Sequence, residues 1–266
     1  MVDKPLLLAI DCDDTLLTEE MVIPESAITA IAAARKSGVR VVIATGRMYC
    51  SVAPYVRTAG LDGPVIAYNG GLVRDLEGRT WFHQPVPVAE AHELIGLAEE
   101  YDLALNLYVD DRLYVRKWDD HAEYYVSIAQ VAAHVAPDLR KILAQAPTKM
   151  LIVDTPAAVE LWRARLRDRY GARLAISRSK PRFIEIMAPG ISKAVALAHV
   201  ATSLGIKRGQ VMAIGDSLND LEMLRWAGIS VAVGNADPEV KARVDYVTAR
   251  HDADGIAQAI QRFILD

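Results

Sequence analysis

Leu6-Leu-Leu-Ala-Ile-Asp-Cys-Asp-Asp-Thr15 is an apolar run that ends in three aspartates within four residues. Pro5 to Ile10 reads as a buried strand. The aspartates fall just past its C-terminal end, where open α/β sheets place their ligands. Like charges packed together are costly unless a cation lies among them or a proton is shared. The stretch therefore predicts both a sheet and a chemical task at its edge.

Downstream, the same rhythm recurs. Glu25 to Ser37 has helical periodicity, with Ile28, Ile31 and Ala32 on one face and Gly38 as its stop. Val39 to Ala44 is a second β-branched strand, followed by Thr45-Gly-Arg47 and a helix to about Thr58. Pro64 to Ala67 is a third strand, closed by Tyr68-Asn-Gly-Gly71. This βαβαβ spacing predicts a parallel sheet covered by helices. The middle of the chain reads differently. Asn106 to Val115 predicts a hairpin turning at Asp110-Asp111, with strands at 149–153, 174–177 and 182–187 and a helix over 156–170. The α/β rhythm then returns. Helices are expected over 192–204, 221–227 and 237–244, strands over 209–214 and 229–233, and a C-terminal helix after Asp254-Gly-Ile256. The expected organisation is a discontinuous core, 1–83 and 189–266, with an α+β domain inserted at 84–188. Pro85-Val-Pro87 and Pro189-Gly190 supply its linkers.

Composition narrows the function. In 266 residues, 52% are hydrophobic and 24% charged, an ordinary globular balance. Net charge is −4 with no basic tract, which argues against nucleic acid. No apolar stretch reaches membrane-spanning length and no signal peptide is expected. Two cysteines, Cys12 and Cys50, make neither a disulfide framework nor a zinc motif and fit a reduced, cytoplasmic setting. A cysteine phosphatase needs an arginine six positions after its cysteine, and Thr18 and Val56 stand there instead.

Four loops after apolar strands carry the candidate chemistry. Asp11, Asp13 and Asp216 are hard oxygen donors, suited to Mg2+ rather than zinc. Thr45 and Lys193 supply a hydroxyl and a cation for phosphate oxygens. An aspartate can be the covalent nucleophile of phosphoryl transfer, and a second carboxyl beside it can serve as acid and then base.

Asp11-Cys-Asp-Asp-Thr15, Thr45-Gly-Arg47, Lys193 and Gly215-Asp-Ser-Leu-Asn-Asp220 resemble the four ordered motifs of the haloacid dehalogenase (HAD) superfamily phosphatases. Tyr68-Asn-Gly-Gly, Gly190-Ile-Ser-Lys and Asp254-Gly-Ile resemble its Cof-type branch, subclass IIB, with a large α/β cap between motifs two and three. The resemblance implies a Rossmann-like core with an α+β cap. It implies Mg2+-dependent hydrolysis of a small phosphorylated metabolite, with a sugar phosphate as the expected class, through an aspartyl-phosphate. Asp11 would be nucleophile and metal ligand. Asp13 would be the acid/base, its carbonyl also reaching the metal. Asp216 would bind the metal directly and Asp220 would support it. Cys12 through its amide, Thr45, Gly46, Lys193 and Asn219 would hold phosphate. Arg47 is a candidate for the substrate entrance, with a surface role as the alternative. Arg178, Lys180 and Arg182 form a basic group that reads as a solvated strand edge, with anion contact as the alternative. Two positions depart from the pattern: Asp14 and Ala194 stand where Gly is common. A phosphomutase or phosphotransferase on the same core and a non-catalytic phosphometabolite-binding module are the rival readings. Oligomeric state is not legible.

Overall fold

The computed structural model describes residues 4–266. The chain divides into two compact units, residues up to Phe82 together with Ser192–Asp266, and His83–Ile191. In chain order the first unit begins with β1 (Leu7–Ile10), α1 (Glu25–Lys36), β2 (Arg40–Ile43), α2 (Tyr49–Thr58), β3 (Val65–Ala67), β4 (Leu72–Arg74) and β5 (Thr80–His83), whose last residue is the first of the second unit. The second unit continues with α3 (Val88–Glu100), β6 (Ala104–Val109), β7 (Arg112–Val115), α4 (Asp120–Ala129), β8 (Ala133–Val135), β9 (Lys149–Val153), α5 (Pro156–Tyr170), β10 (Ala175–Lys180) and β11 (Phe183–Met187). The first unit resumes with α6 (Lys193–Ser203), β12 (Val211–Gly215), α7 (Leu221–Trp226), β13 (Ile229–Ala232), α8 (Pro238–Lys241), β14 (Tyr246–Val247) and α9 (Gly255–Ile260).

The core sheet has the order β14-β13-β12-β1-β2 and is parallel throughout. An isolated parallel bridge, Ala44 to Ile66, joins it to β3 of the small β3-β4-β5 sheet. β1 sits between strands from the two ends of the chain and all four of its residues are buried, as a strand covered on both faces requires. Register sets the height of the loops. Ile10 pairs with Ile43 on one side and Ile214 on the other. The loops that follow Ile10, Ile43 and Gly215 therefore leave the sheet at nearly the same level. Strand order changes direction at β1, which is where such sheets open a crevice.

The second unit is a six-stranded sheet of order β10-β11-β9-β6-β7-β8, antiparallel except for the β7/β8 pair. Leu94, Leu107, Ile152, Leu166 and Ile184 share a core that α3 and α5 close over one sheet face. The expected hairpin is β6/β7, and Asp110 and Asp111 take φ of 49° and 57°, as a two-residue primed turn needs. β10 is an edge strand. Arg178 there pairs with Glu160, and Arg182 stands 3.9 Å over the Tyr124 ring, so two of the three basic residues are spent within the unit. Lys149 and Glu185 form a buried ion pair across β9 and β11.

The structure departs from the sequence reading in places. α3, α4 and the β4/β5 strands stand where that reading puts no element. Ala91, Leu94, Ile95 and Ala98 are the buried face of α3, a three-and-four spacing that could have located it. The helix expected over 237–244 is only Pro238–Lys241. The Asp245 carboxylate accepts from the Ser230 N–H at 2.8 Å and its hydroxyl at 2.7 Å, which draws the chain out toward β14. Among the described residues no helix is long and apolar enough to cross a membrane.

Candidate active site

Lys193 opens α6 with its side chain 1% exposed. Ser192 caps the helix, its Oγ accepting from Val195 N. Gly70, at φ 100°, lets the Tyr68-Asn-Gly-Gly turn come against Ser192. A Cβ there would lie 2.3 Å from the Ser192 carbonyl oxygen. The turn thus fixes where α6 starts, and so where Lys193 points. Lys193 Nζ donates to Asp11 Oδ1 at 2.5 Å and to Asp220 Oδ1 at 2.7 Å.

Asp220 Oδ2 accepts the backbone N–H groups of Asp216 and Ser217, both at 3.1 Å. Gly215 makes room for this, since a Cβ there would lie 2.7 Å from the Asp220 Cγ. Asp220 is therefore saturated by donors and shapes the loop that carries Asp216. Asp216 in turn accepts from Thr15 Oγ1 at 2.7 Å. Thr15 carries no role in the sequence reading, although it closes the first motif.

Oxygens of Asp11, Asp216 and Asp220 all lie within 4.8 Å of one another. Three carboxylates face one ammonium in this buried cluster, leaving two negative charges in excess. Burial, then the Asp220 charge, raises Asp11 well above the ordinary carboxylate range, against the pull of Lys193. Burial likewise pushes Asp216 up to about 6. Burial alone would lower Lys193, but Asp11 and Asp220 outweigh it and hold the ammonium charged. A site of hard oxygen donors short of positive charge fits a divalent cation. The Asp11 and Asp216 carboxyls lie within hydrogen-bond range of each other, and Asp220 is held by Lys193 and the two loop amides.

Asp13 does not join the cluster with its side chain. Arg47 grips its carboxylate two-pronged, Nε lying 2.8 Å from Oδ2 and 3.0 Å from Oδ1, with a further contact from Nη2. The arginine expected at the substrate entrance is thus engaged with the candidate acid/base. Its guanidinium also stands 5.6 Å from the Tyr55 ring centroid. Asp14 takes φ 57°, the left-handed region where Gly is most at ease and Asp is tolerated. Its carbonyl accepts from Asn235 Nδ2 at 2.7 Å and lies 3.0 Å from His251 Nδ1. These two anchors come from loops that the sequence motifs do not tie to the first aspartates.

Thr45 is fully buried, its hydroxyl accepting from Arg47 N at 3.1 Å. Gly46 packs against the Asn69 side chain. Asn69 also accepts from Asn219 Nδ2 at 3.1 Å, and its N–H donates to the Thr45 carbonyl at 2.9 Å. Asn69 therefore ties the second and fourth loops together, a role the sequence reading does not assign it. Cys12 is buried at 0% exposure, and burial followed by the neighbouring Asp13 and Asp11 charges pushes its thiol up, away from thiolate chemistry.

The pattern of the haloacid dehalogenase-like hydrolases matches residues 8–260. The chain is 32% identical to the 5-amino-6-(5-phospho-D-ribitylamino)uracil phosphatase YitU of Bacillus subtilis, over 99% of each chain. It is 30% identical to the pyridoxal phosphate phosphatase YbhA of Escherichia coli, over 97% of this chain and 98% of that one. Among solved structures, a HAD subclass IIB sugar phosphatase superposes with a TM-score of 0.81 at 26% identity, covering 97% of this chain and 98% of that one. The protein is a member of the haloacid dehalogenase-like hydrolase family and a phosphatase of its Cof-type branch, with a Rossmann-like core and an inserted α+β cap.

Proposed function

We propose that the protein hydrolyses the phosphate monoester of a small sugar or sugar-alcohol metabolite, with Mg2+ as cofactor, through an aspartyl-phosphate on Asp11. The observation that carries this reading is the buried Lys193–Asp11–Asp216–Asp220 cluster at the ends of β1 and β12. The sugar preference draws on two relatives, one acting on a phosphoribityl compound and one a sugar phosphatase.

In the first step an Asp11 oxygen attacks phosphorus and the bond to the leaving oxygen breaks. Lys193 holds the other oxygen, orienting the nucleophile and offsetting its charge. Asp13 gives a proton to the leaving alkoxide. In the second step Asp13 takes a proton from water, which attacks phosphorus and breaks the bond to Asp11, releasing phosphate. For both steps Asp13 exchanges its Arg47 pair for the reacting oxygen. Thr45 Oγ1, the Cys12 and Gly46 backbone and Asn219 hold the phosphoryl oxygens. Asp11, Asp216 and the Asp13 carbonyl would hold Mg2+, which supplies charge neutralisation for the transferring group. Residues 84–188 serve as the cap domain, with Pro85–Pro87 and Pro189-Gly190 as its linkers.

The test is Asp11→Asn, assayed on p-nitrophenyl phosphate and on a panel of sugar phosphates with Mg2+. Loss of turnover in a variant that still unfolds cooperatively supports the reading, and undiminished turnover overturns it.

A further inference from the structure

The cap unit carries a cleft built from none of the residues assigned above. A cavity of about 440 Å³ opens between the end of α3 and one face of α5. Trp162, Arg165, Leu166, Arg169 and Tyr170 line it at three- and four-residue spacing, which places all five on one helix face. Leu166 and Tyr170 are buried and form the floor. Tyr101, from the end of α3, meets Trp162 edge-on with ring centroids 5.0 Å apart. Arg165 stands 5.1 Å over the Trp162 ring and Arg169 5.2 Å over that of Tyr170.

The two arginines are the informative part. Ion pairs on the surrounding surface use Arg163 with Glu160, and Arg173 with Glu90 and Glu93. Arg165 and Arg169 take part in none of them and are exposed at the mouth of the cleft. Glu93 also feels the Arg169 charge, but its carboxylate is held by Arg173. A cleft meant only for apolar partners has no use for two guanidiniums that, among the described residues, rest on aromatic rings with no carboxylate partner. One helical turn apart, they bring two donor forks within reach of one phosphate. When Arg165 swings from the Trp162 ring to a phosphate, the Trp162 ring, bordered by Tyr101, is left to take a planar heterocycle, as aromatic side chains do for bases. The volume lies in the range of small-ligand pockets.

We propose that this cleft binds a nucleoside monophosphate, its base against Trp162 and Tyr101 and its phosphate between Arg165 and Arg169. The proposal is independent of the catalytic reading.

The experiment is calorimetric titration of AMP into the full chain carrying Asp11→Asn, with and without Arg165→Ala/Arg169→Ala. AMP should bind the first protein, and affinity should fall about tenfold or more in the second. Adenosine and inorganic phosphate should each bind more weakly than AMP. Trp162→Leu should weaken AMP but leave inorganic phosphate unchanged. With Asp11 intact, Arg165→Ala/Arg169→Ala should leave p-nitrophenyl phosphate turnover unchanged. The proposal is overturned by absence of AMP binding, by AMP affinity indifferent to both arginines, or by equal affinity for AMP and inorganic phosphate. Tighter, arginine-dependent binding of an acidic peptide would overturn it as well.

Discussion

Lys193 and Asp11 stand 182 positions apart in the chain, yet the ammonium lies 2.5 Å from the carboxylate, both buried. Neither is tolerable alone in that place. An unpaired buried charge costs several kcal/mol; Asp11 and Asp220 together offset it for Lys193, while Lys193 offsets only part of it for Asp11.

Lys193→Met should therefore cost stability as well as activity. Removing the ammonium leaves Asp11 and Asp220 facing each other without a cation. The loss should be about 3–5 kcal/mol near neutral pH, with turnover abolished. It should shrink in acid, where the carboxylates take up protons. Denaturant titrations at two pH values check this, and a pH-independent loss would count against it.

Arg47→Lys should separate two kinds of substrate. Lysine cannot reproduce the two-pronged grip on Asp13. If Arg47 sets where Asp13 waits, phosphate esters of alcohols, whose leaving group needs a proton, should slow about tenfold or more. p-Nitrophenyl phosphate, whose leaving group departs as an anion, should slow much less. Equal slowing of both ester types would show that Arg47 acts on something other than Asp13.

The metal should matter more above pH 6 than below. Asp216 is raised from 3.8 to about 6. A group raised on folding contributes stability below its unfolded value and loses it as pH rises through the folded value. Without metal, this group favours the fold at pH 4 and ceases to do so above pH 6, a change on the order of 2 kcal/mol. Mg2+ binds the ionised form, so protons compete with it. The rise in melting temperature on adding Mg2+ should be larger at pH 7.5 than at pH 5. A rise independent of pH would place the cation elsewhere.

Asp14→Gly should be close to silent in catalysis. The backbone there is at φ 57°, which Gly adopts freely, and the loop is held through the Asp14 carbonyl, which Gly retains. Turnover should stay within about twofold and stability within about 1 kcal/mol. A large loss of activity would assign the Asp14 carboxylate a task that its geometry does not suggest.

Much of the site was legible because its residues sit at fixed offsets from buried strands. The β-branched and apolar runs before Asp11, Thr45 and Asp216 mark strand ends, and period and length suffice to read them. The register of β1, β2 and β12 brings three of the four motif loops to one level, and Lys193 joins them from the start of α6. Arg47 shows where such reading stops. Its position after Thr45-Gly was visible, but its choice of Asp13 over the entrance depends on how two loops face each other. Asn69, Thr15, Asn235 and His251 were out of reach for the same reason, since each acts through a contact with a distant loop.

The α/β alternation, the β6/β7 hairpin and the residue types available for phosphoryl transfer are written in the chain itself. They follow from local periodicity and side-chain chemistry. Folding in three dimensions was needed to show that Asp220 is spent on Lys193 and two backbone amides while Asp216 meets Thr15 and Asp11. The same holds for Asp13 resting on Arg47, and for Arg165 and Arg169 lying over the rings of an aromatic cleft without a carboxylate partner among the described residues. Hydrogen-bond partners and burial are set by packing between segments far apart in the chain, and those select which of several identical carboxylates is free to react.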